Sequence, residues 1–306
     1  MSSNPTLLLW DHPTSSYAQK VRIALREKQI PFTSKRPLGL GSGGPVSDLA
    51  DTNPRLEVPC LEDSTENGEV IKIFDSTIIL AYLEDKFPDL PLLPRDPGGR
   101  AEARMIEEVC DTAYEATNWG FSEVSWSKRA EGELAERLTA QIKYQTGVIQ
   151  AWLAEKLGGS EYFNGRTFGY ADVCVAPVLN RSVYYGFGPA EGTVLWRWHA
   201  RVRERESVRV TFGEMEEGAR VMEATMKGVF MEGMGRRQYR DYRLEWMIKS
   251  GGIEVVLEGL RRSCMDARAS FPYELDARQA LKLHTSVSGL AEHGGEGVAK
   301  LCAVTE

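Results

Sequence analysis

Hydrophobic and polar positions alternate in two different ways along this chain. Between residues 6 and 94, strand and helix signals take turns. Thr6 to Trp10 is a short apolar run that predicts a strand, and Tyr17, Val21, Ala24 and Leu25 then recur on one helical face. Pro31-Phe32-Thr33 opens a second extended segment, followed by a glycine-rich loop from Gly39 to Pro45. Val58–Leu61 and Val70–Phe74 read as two strands around the polar turn Asn67-Gly68. Ser76 opens a helix that turns Ile79, Leu80 and Leu83 inward and stops before Pro88. The order β-α-β-loop-β-β-α predicts a small α/β unit with a terminal hairpin.

The second regime is helical. Leu90 to Gly99 is dense in proline and glycine and reads as a linker. Beyond it, helical spacing runs over about 101–127, 130–157, 171–185, 193–206, 214–232 and 236–262. Clear periodicity ends after Pro272, where helix fragments and a loose tail are expected. The expected architecture is an α/β N-terminal domain, residues 1–90, a linker, 91–100, and an all-α helical-bundle C-terminal domain, 101–306, with an extension from about 225.

Composition narrows the partners. At 42% hydrophobic and 26% charged, the 306 residues describe an ordinary globular protein. A net charge of −7 argues against nucleic acid and against anionic membrane. The start, MSSNPTLLLW, lacks the basic stretch and long apolar run of a leader, and no apolar run nears the roughly 20 residues of a spanning helix. Five scattered cysteines, odd in number, suit free thiols in a reducing compartment, which predicts a cytoplasmic location.

Several familiar chemistries have little support. Gly39, Gly41 and Gly44 satisfy G-x-G-x-x-G, but no apolar helix opens at the third glycine. The four histidines have no metal-ligand spacing, so no metal is expected, and there is no G-x-S-x-G elbow. Arg236 to Arg243 mixes arginine with tyrosine, which suits an anion or RNA face but more simply a solvated helix face.

Three short stretches carry more. Thr14-Ser15-Ser16 stands where a helix begins, so its hydroxyls cap that helix or serve an active site. Val58-Pro59 is either the first residue pair of a strand or a cis peptide in a tight turn. In the second case the Val58 backbone would be free to pair with a peptide-like ligand. Asp75-Ser76 opens a helix, and its capping chemistry also suits an α-amino acid head group, with the carboxylate on the helix N-terminus and the ammonium on Asp75.

Together, LLLWDHPTSSYAQKVRIALREKQIPF, NPRLEVPCLED, IFDSTIILAYLEDKFP and YFNGRTFGYADVCVAPVL resemble the glutathione transferase superfamily, in its serine-type, fungal-like form with a long C-terminal extension. The resemblance covers about residues 6 to 210. It implies a thioredoxin-like N-terminal domain, glutathione as co-substrate, and a homodimer. Ser15 or Ser16 would face the thiol as a hydrogen-bond donor. Val58 would pair with the cysteinyl backbone across a cis Pro59, and Asp75 and Ser76 would hold the γ-glutamyl head. Glu57 stands where some members carry a neutral residue, and its carboxylate would repel glutathione or bind its amine. Asp172 would cap the helix starting near Tyr170, with Gly169 in place of the usual serine. Tyr114, Asn118, Trp119 and Trp126 would either line an apolar acceptor pocket or pack the bundle core. The activity implied is conjugation of glutathione to a small apolar electrophile. The alternatives are a glutathione-dependent isomerase or ether-cleaving enzyme, or a non-catalytic protein of the same fold that binds glutathione or a partner.

Overall fold

The computed structural model describes residues 7–40, 48–226, 250–252, 254–255 and 257–258. The arginine–tyrosine segment Arg236–Arg243, the tail after Pro272, and Gly41 and Gly44 lie outside the described residues. Met1–Arg237 is one compact unit and holds every contact discussed below, and Gln238–Glu306 is another.

Four strands, β1 (Leu7–Trp10), β2 (Phe32–Lys35), β3 (Cys60–Ser64) and β4 (Val70–Phe74), form one mixed sheet in the order β2-β1-β3-β4. β1 runs parallel to β2 and antiparallel to β3, which is antiparallel to β4. The register puts Lys35, Trp10, Cys60 and Phe74 in one row across the sheet. Leu7 and Leu9 are fully buried, as a sheet covered by helices requires. Two helices belong to this half, α1 (Ser16–Glu27) and α2 (Ser76–Lys86).

The helical half comprises α3 (Pro97–Val109), a π-helical turn (Cys110–Tyr114), α4 (Glu115–Ser125), α5 (Gly132–Leu157), α6 (Tyr170–Tyr184), α7 (Val194–Arg203) and α8 (Glu206–Met226). α6 is buried along Tyr170–Ser182 and packs against α1 and α3. Asp172, fully buried, takes its expected capping place. It accepts from Gly169 N at 2.9 Å, Phe163 N at 3.1 Å and Trp198 Nε1 at 2.7 Å. A Cβ at position 169 would lie 2.8 Å from the Leu92 carbonyl oxygen, so any side chain there requires the backbone to shift.

Four boundaries differ from expectation. The linker 91–100 already contains helix, because Asp96 accepts from Gly99 N at 2.7 Å and Pro97 occupies the first turn. The single helix over 101–127 is instead two helices around the π turn. α8 starts at Glu206 rather than 214, since no proline or glycine marks the break after α7. Val58-Pro59 stands ahead of β3 in a cis peptide, which chooses the turn over the strand.

Candidate active site

The end of the sheet at the row Lys35–Trp10–Cys60–Phe74 is where the chemistry gathers. Beyond Trp10 the chain runs through Asp11–Ser15 into α1, and beyond Phe74 it enters α2 at Asp75-Ser76. Cys60 is preceded by the cis Val58-Pro59 peptide. Antiparallel pairing of β1 with β3 and of β3 with β4 therefore brings Ser15, Val58-Pro59 and Asp75-Ser76 to one edge. Two helix N-termini open there, and each carries partial positive charge.

Ser15 is the N-cap of α1, in extended backbone, and its Oγ accepts from Ala18 N at 3.3 Å. Accepting through a lone pair leaves the hydroxyl proton to be given elsewhere. Ser15 is half-buried, whereas Ser16 is 2% exposed and turns toward Glu115. Tyr17 donates its phenol to the Asp111 carbonyl at 2.6 Å, so its proton is committed.

The loop before Ser15 is tightly held. His12 Nδ1 accepts from Thr14 N at 3.3 Å, which puts the proton of the neutral ring on Nε2. Burial pushes the His12 pKa down to about 3, helped by Arg36, Arg181 and Arg22, so the ring is neutral near pH 7. Arg22 donates to the Pro13 carbonyl at 3.0 Å and Ser34 to Asp11 at 3.0 Å.

Asp75 caps α2 through Oδ1, accepting from Thr77 N at 3.0 Å and Ile78 N at 3.4 Å. Its φ of +76° is rare outside glycine and marks local strain of the kind found at binding sites. Oδ2 lies 4.0 Å from Arg55 Nη1. Ser76 is buried beside it. The Glu57 carbonyl accepts from Asn53 Nδ2 at 2.9 Å and Cys60 Sγ at 3.0 Å, and Glu57 and Val58 are both half-buried. Burial pushes the Cys60 thiol up to about 12, so this cysteine is no nucleophile at neutral pH.

The four residues expected at an acceptor pocket separate. Tyr114 is fully buried and its hydroxyl accepts from Gln150 Nε2 at 2.9 Å. Asn118 donates to the Val178 carbonyl and accepts from Ser182, both at 2.8 Å. Trp126 packs with Met215 and Ala219 and donates to Glu223 at 3.0 Å. Tyr114, Asn118 and Trp126 thus take the core alternative, with their polar atoms already engaged. Trp119 alone of the four is half-buried. Several groups around the Thr14-Ser15 loop went unread in the sequence: Glu115, Arg181, Gly218 and Met222. They are far apart along the chain, and no local pattern signals them.

A family model, "Glutathione S-transferase, N-terminal domain", matches residues 14–86. Glutathione S-transferase U25 of Arabidopsis thaliana is 30% identical over 217 residues, 69% of this chain and 90% of that protein. The chain belongs to the glutathione transferase superfamily. Within the superfamily it is also similar to a stringent starvation protein A homolog of Coxiella burnetii, 27% identical over 71% of this chain and 96% of that one. Among solved structures it resembles a glutathione S-transferase of Methylobacterium radiotolerans in complex with glutathione sulfonate. That match has 27% identity and a TM-score of 0.55, and covers 68% of this chain and 94% of that one. The mixed sheet followed by helices is the thioredoxin-like plus helical fold of the superfamily.

Proposed function

We propose that this member is a serine-type glutathione transferase-like enzyme that activates the glutathione thiol for conjugation to a small, largely apolar electrophile. The observation that carries the reading is the convergence of Ser15, Val58-Pro59 and Asp75-Ser76 at one sheet edge beneath two helix N-termini. A γ-glutamyl peptide needs an anion and an ammonium site side by side. Asp75 takes the ammonium, and Ser76 with the first N–H groups of α2 takes the carboxylate. Val58 offers its backbone to the cysteinyl unit. Glu57 is half-buried next to Val58, and its carboxylate would bind the glutathione amine or repel the peptide.

Ser15 supplies the activation. A free thiol with a pKa near 8.5 is only a few per cent ionised at neutral pH. Lowering that pKa by about two units is worth roughly 2.7 kcal/mol and makes the sulfur mostly thiolate. Ser15 gives its proton as a hydrogen bond to the sulfur while its lone pair keeps the Ala18 N–H, and the positive end of α1 adds to the effect. The thiol proton passes to solvent, and the thiolate forms a bond to an electrophilic carbon; the displaced electron pair departs with the leaving group or, in an addition, moves to the adjacent carbon, which takes a proton from water. Trp119 is the one sequence-expected acceptor residue that keeps surface for this step. A cytoplasmic homodimer goes with this reading, and the exposed apolar side chains Ile78 and Met105 suit a subunit contact.

Binding to immobilised glutathione, followed by turnover on a panel of conjugation, isomerisation and ether-cleavage substrates, tests it. The expected result is binding by the natural protein and loss of turnover in Ser15→Ala. No binding by the natural protein ends the reading. Binding without turnover on any substrate leaves a non-catalytic glutathione-binding protein instead.

A further inference from the structure

The loop that presents Ser15 is held from the helical half of the unit as well as from its own. Arg181, on α6 and buried, donates Nη1 to Glu115 Oε1 at 2.8 Å and Nη2 to the carbonyl oxygen of Thr14, the residue directly before Ser15. Glu115, at the start of α4, also faces Ser16, the residue directly after. The same guanidinium lies over the Trp126 ring at 5.7 Å, which closes its outer side. On the other flank α8 lies against the loop. Gly218 leaves room for Pro13, and Met222 Sδ lies 3.3 Å from Thr14 Oγ1. Around the loop and Arg181 also stand the charged groups Asp11, Arg22, Arg26, Arg36 and Glu214, the phenols Tyr17 and Tyr185, and the neutral ring of His12.

We propose that Arg181 is a positioning residue for the thiol-facing hydroxyl: its guanidinium fork ties the Thr14 carbonyl to Glu115 and so sets where the Ser15 Oγ points. This rests on the reading of Ser15 as the thiol's donor. The physical argument is geometric. An N-cap serine is aimed by the backbone of its own residue, and that backbone follows from the fixed peptide before it. The guanidinium gives one N–H to the Thr14 carbonyl and another to Glu115, so it holds that carbonyl at a set place relative to α4, and a single ammonium cannot reproduce the bridge. Burial makes the arrangement stiff, since neither charge can be released to solvent without leaving the other uncompensated.

Two variants test it. Arg181→Lys keeps a cation beside Glu115 and loses the fork. Arg181→Gln combined with Glu115→Gln removes both charges together, so no lone buried charge is left to unfold the protein. Both are expected to bind immobilised glutathione within about threefold of the natural protein, because Val58, Asp75 and Ser76 are untouched. Turnover is expected to fall between about 10- and 100-fold. The ionisation seen in the pH profile of kcat/KM, and in the thiolate absorbance of bound glutathione, is expected to move up by about one pH unit. A merely structural Arg181 would lower the yield of folded protein and leave that ionisation where it was, and this result overturns the proposal. Hydrogen exchange at the Ala18 amide, the group Ser15 Oγ caps, decides the point without any ligand. Faster exchange at Ala18 with unchanged exchange along α6 supports the proposal, and unchanged exchange at Ala18 overturns it. Should the natural protein fail to bind glutathione, the transferase reading falls while the exchange result still decides whether Arg181 positions Ser15.

Discussion

Lys20 Nζ lies 2.7 Å from Glu107 Oε1, and both side chains are almost sealed from water. The same ammonium also meets Asp111, while Glu107 accepts from Thr77 at 2.9 Å and from Tyr170 at 2.7 Å. This network ties α1, α2, α3 and α6 together. Burial opposes the Lys20 charge, but Asp111 and Glu107 outweigh it and raise its pKa. Asp111 has its own pKa pushed up to about 6 by burial, with Lys20 holding it back. Removing the cation leaves Glu107, buried, and Asp111, half-buried, without a positive partner. Lys20→Met is therefore expected to cost about 3–5 kcal/mol in urea unfolding, and adding Asp111→Asn should recover part of that. A loss under about 1 kcal/mol would show that the carboxylates find other compensation.

His12 makes stability depend on acid. Its pKa is about 3 in the folded protein against an ordinary 6.5. Within that window the unfolded chain binds a proton that the folded chain refuses. The His12 contribution is complete above pH 6.5 and falls as pH drops, while Asp111 and Asp172, each pushed up to about 6 by burial, act in the opposite direction. Between pH 7.5 and pH 5 the loss due to His12 is about 2 kcal/mol. His12→Asn keeps an acceptor for the Thr14 amide and cannot titrate there, so its unfolding free energy should change less over that range. His199, pushed down to about 4 by burial and then by Arg203, leaves part of the slope in place. Equal slopes in variant and natural protein would remove His12 from the account.

Two glycines of α8 should respond in opposite directions to the same substitution. A Cβ on Gly218 would stand 2.7 Å from Pro13 Cγ and 2.9 Å from Pro13 Cβ, while nothing lies within 4 Å of a Cβ on Gly213. Alanine gains up to about 1 kcal/mol in helix propensity at either position. Overpacking costs about 1–3 kcal/mol and outweighs that gain only at 218. Thermal unfolding should show Gly213→Ala raised and Gly218→Ala lowered, with reduced turnover in Gly218→Ala because the ring it strikes is part of the Ser15 loop. If both variants rise, α8 does not press on that loop.

Capping by Ser15 and its proposed part in thiol activation can be separated. Ser15→Ala loses both, with about 1 kcal/mol of stability and a fall in turnover of about 100-fold or more. Ser15→Asp keeps an acceptor for the Ala18 amide but has no proton to give near pH 7. It should melt close to the natural protein and still lack turnover. Ser16→Ala should keep most of the activity, since Ser16 is buried toward Glu115. Full activity in Ser15→Asp would show that capping is all Ser15 does.

Much of the fold was legible because its signals are local. The strand–helix alternation, the proline at 59, the cap at Asp75 and the Gly169–Asp172 helix start all rest on residues within a few positions of each other. One boundary differs because its punctuation has two meanings. Asp96-Pro97-Gly98-Gly99 looks like a linker by composition and is a helix start by capping.

What the sequence determined by itself was the set of elements, the family and the hydroxyl pair at the head of α1, because periodicity and capping act over one or two turns of chain. The tertiary structure decided which serine stays reachable, which aromatic side chains are core, and what holds the loop. A helical stripe of Tyr114, Asn118 and Trp126 reads the same whether it faces a pocket or a neighbouring helix, and only packing against α5, α6 and α8 settles it. The bond from Arg181 to the Thr14 carbonyl spans 167 positions. Its physical reason, a buried charge needing partners, exists only once α6 lies beneath α1.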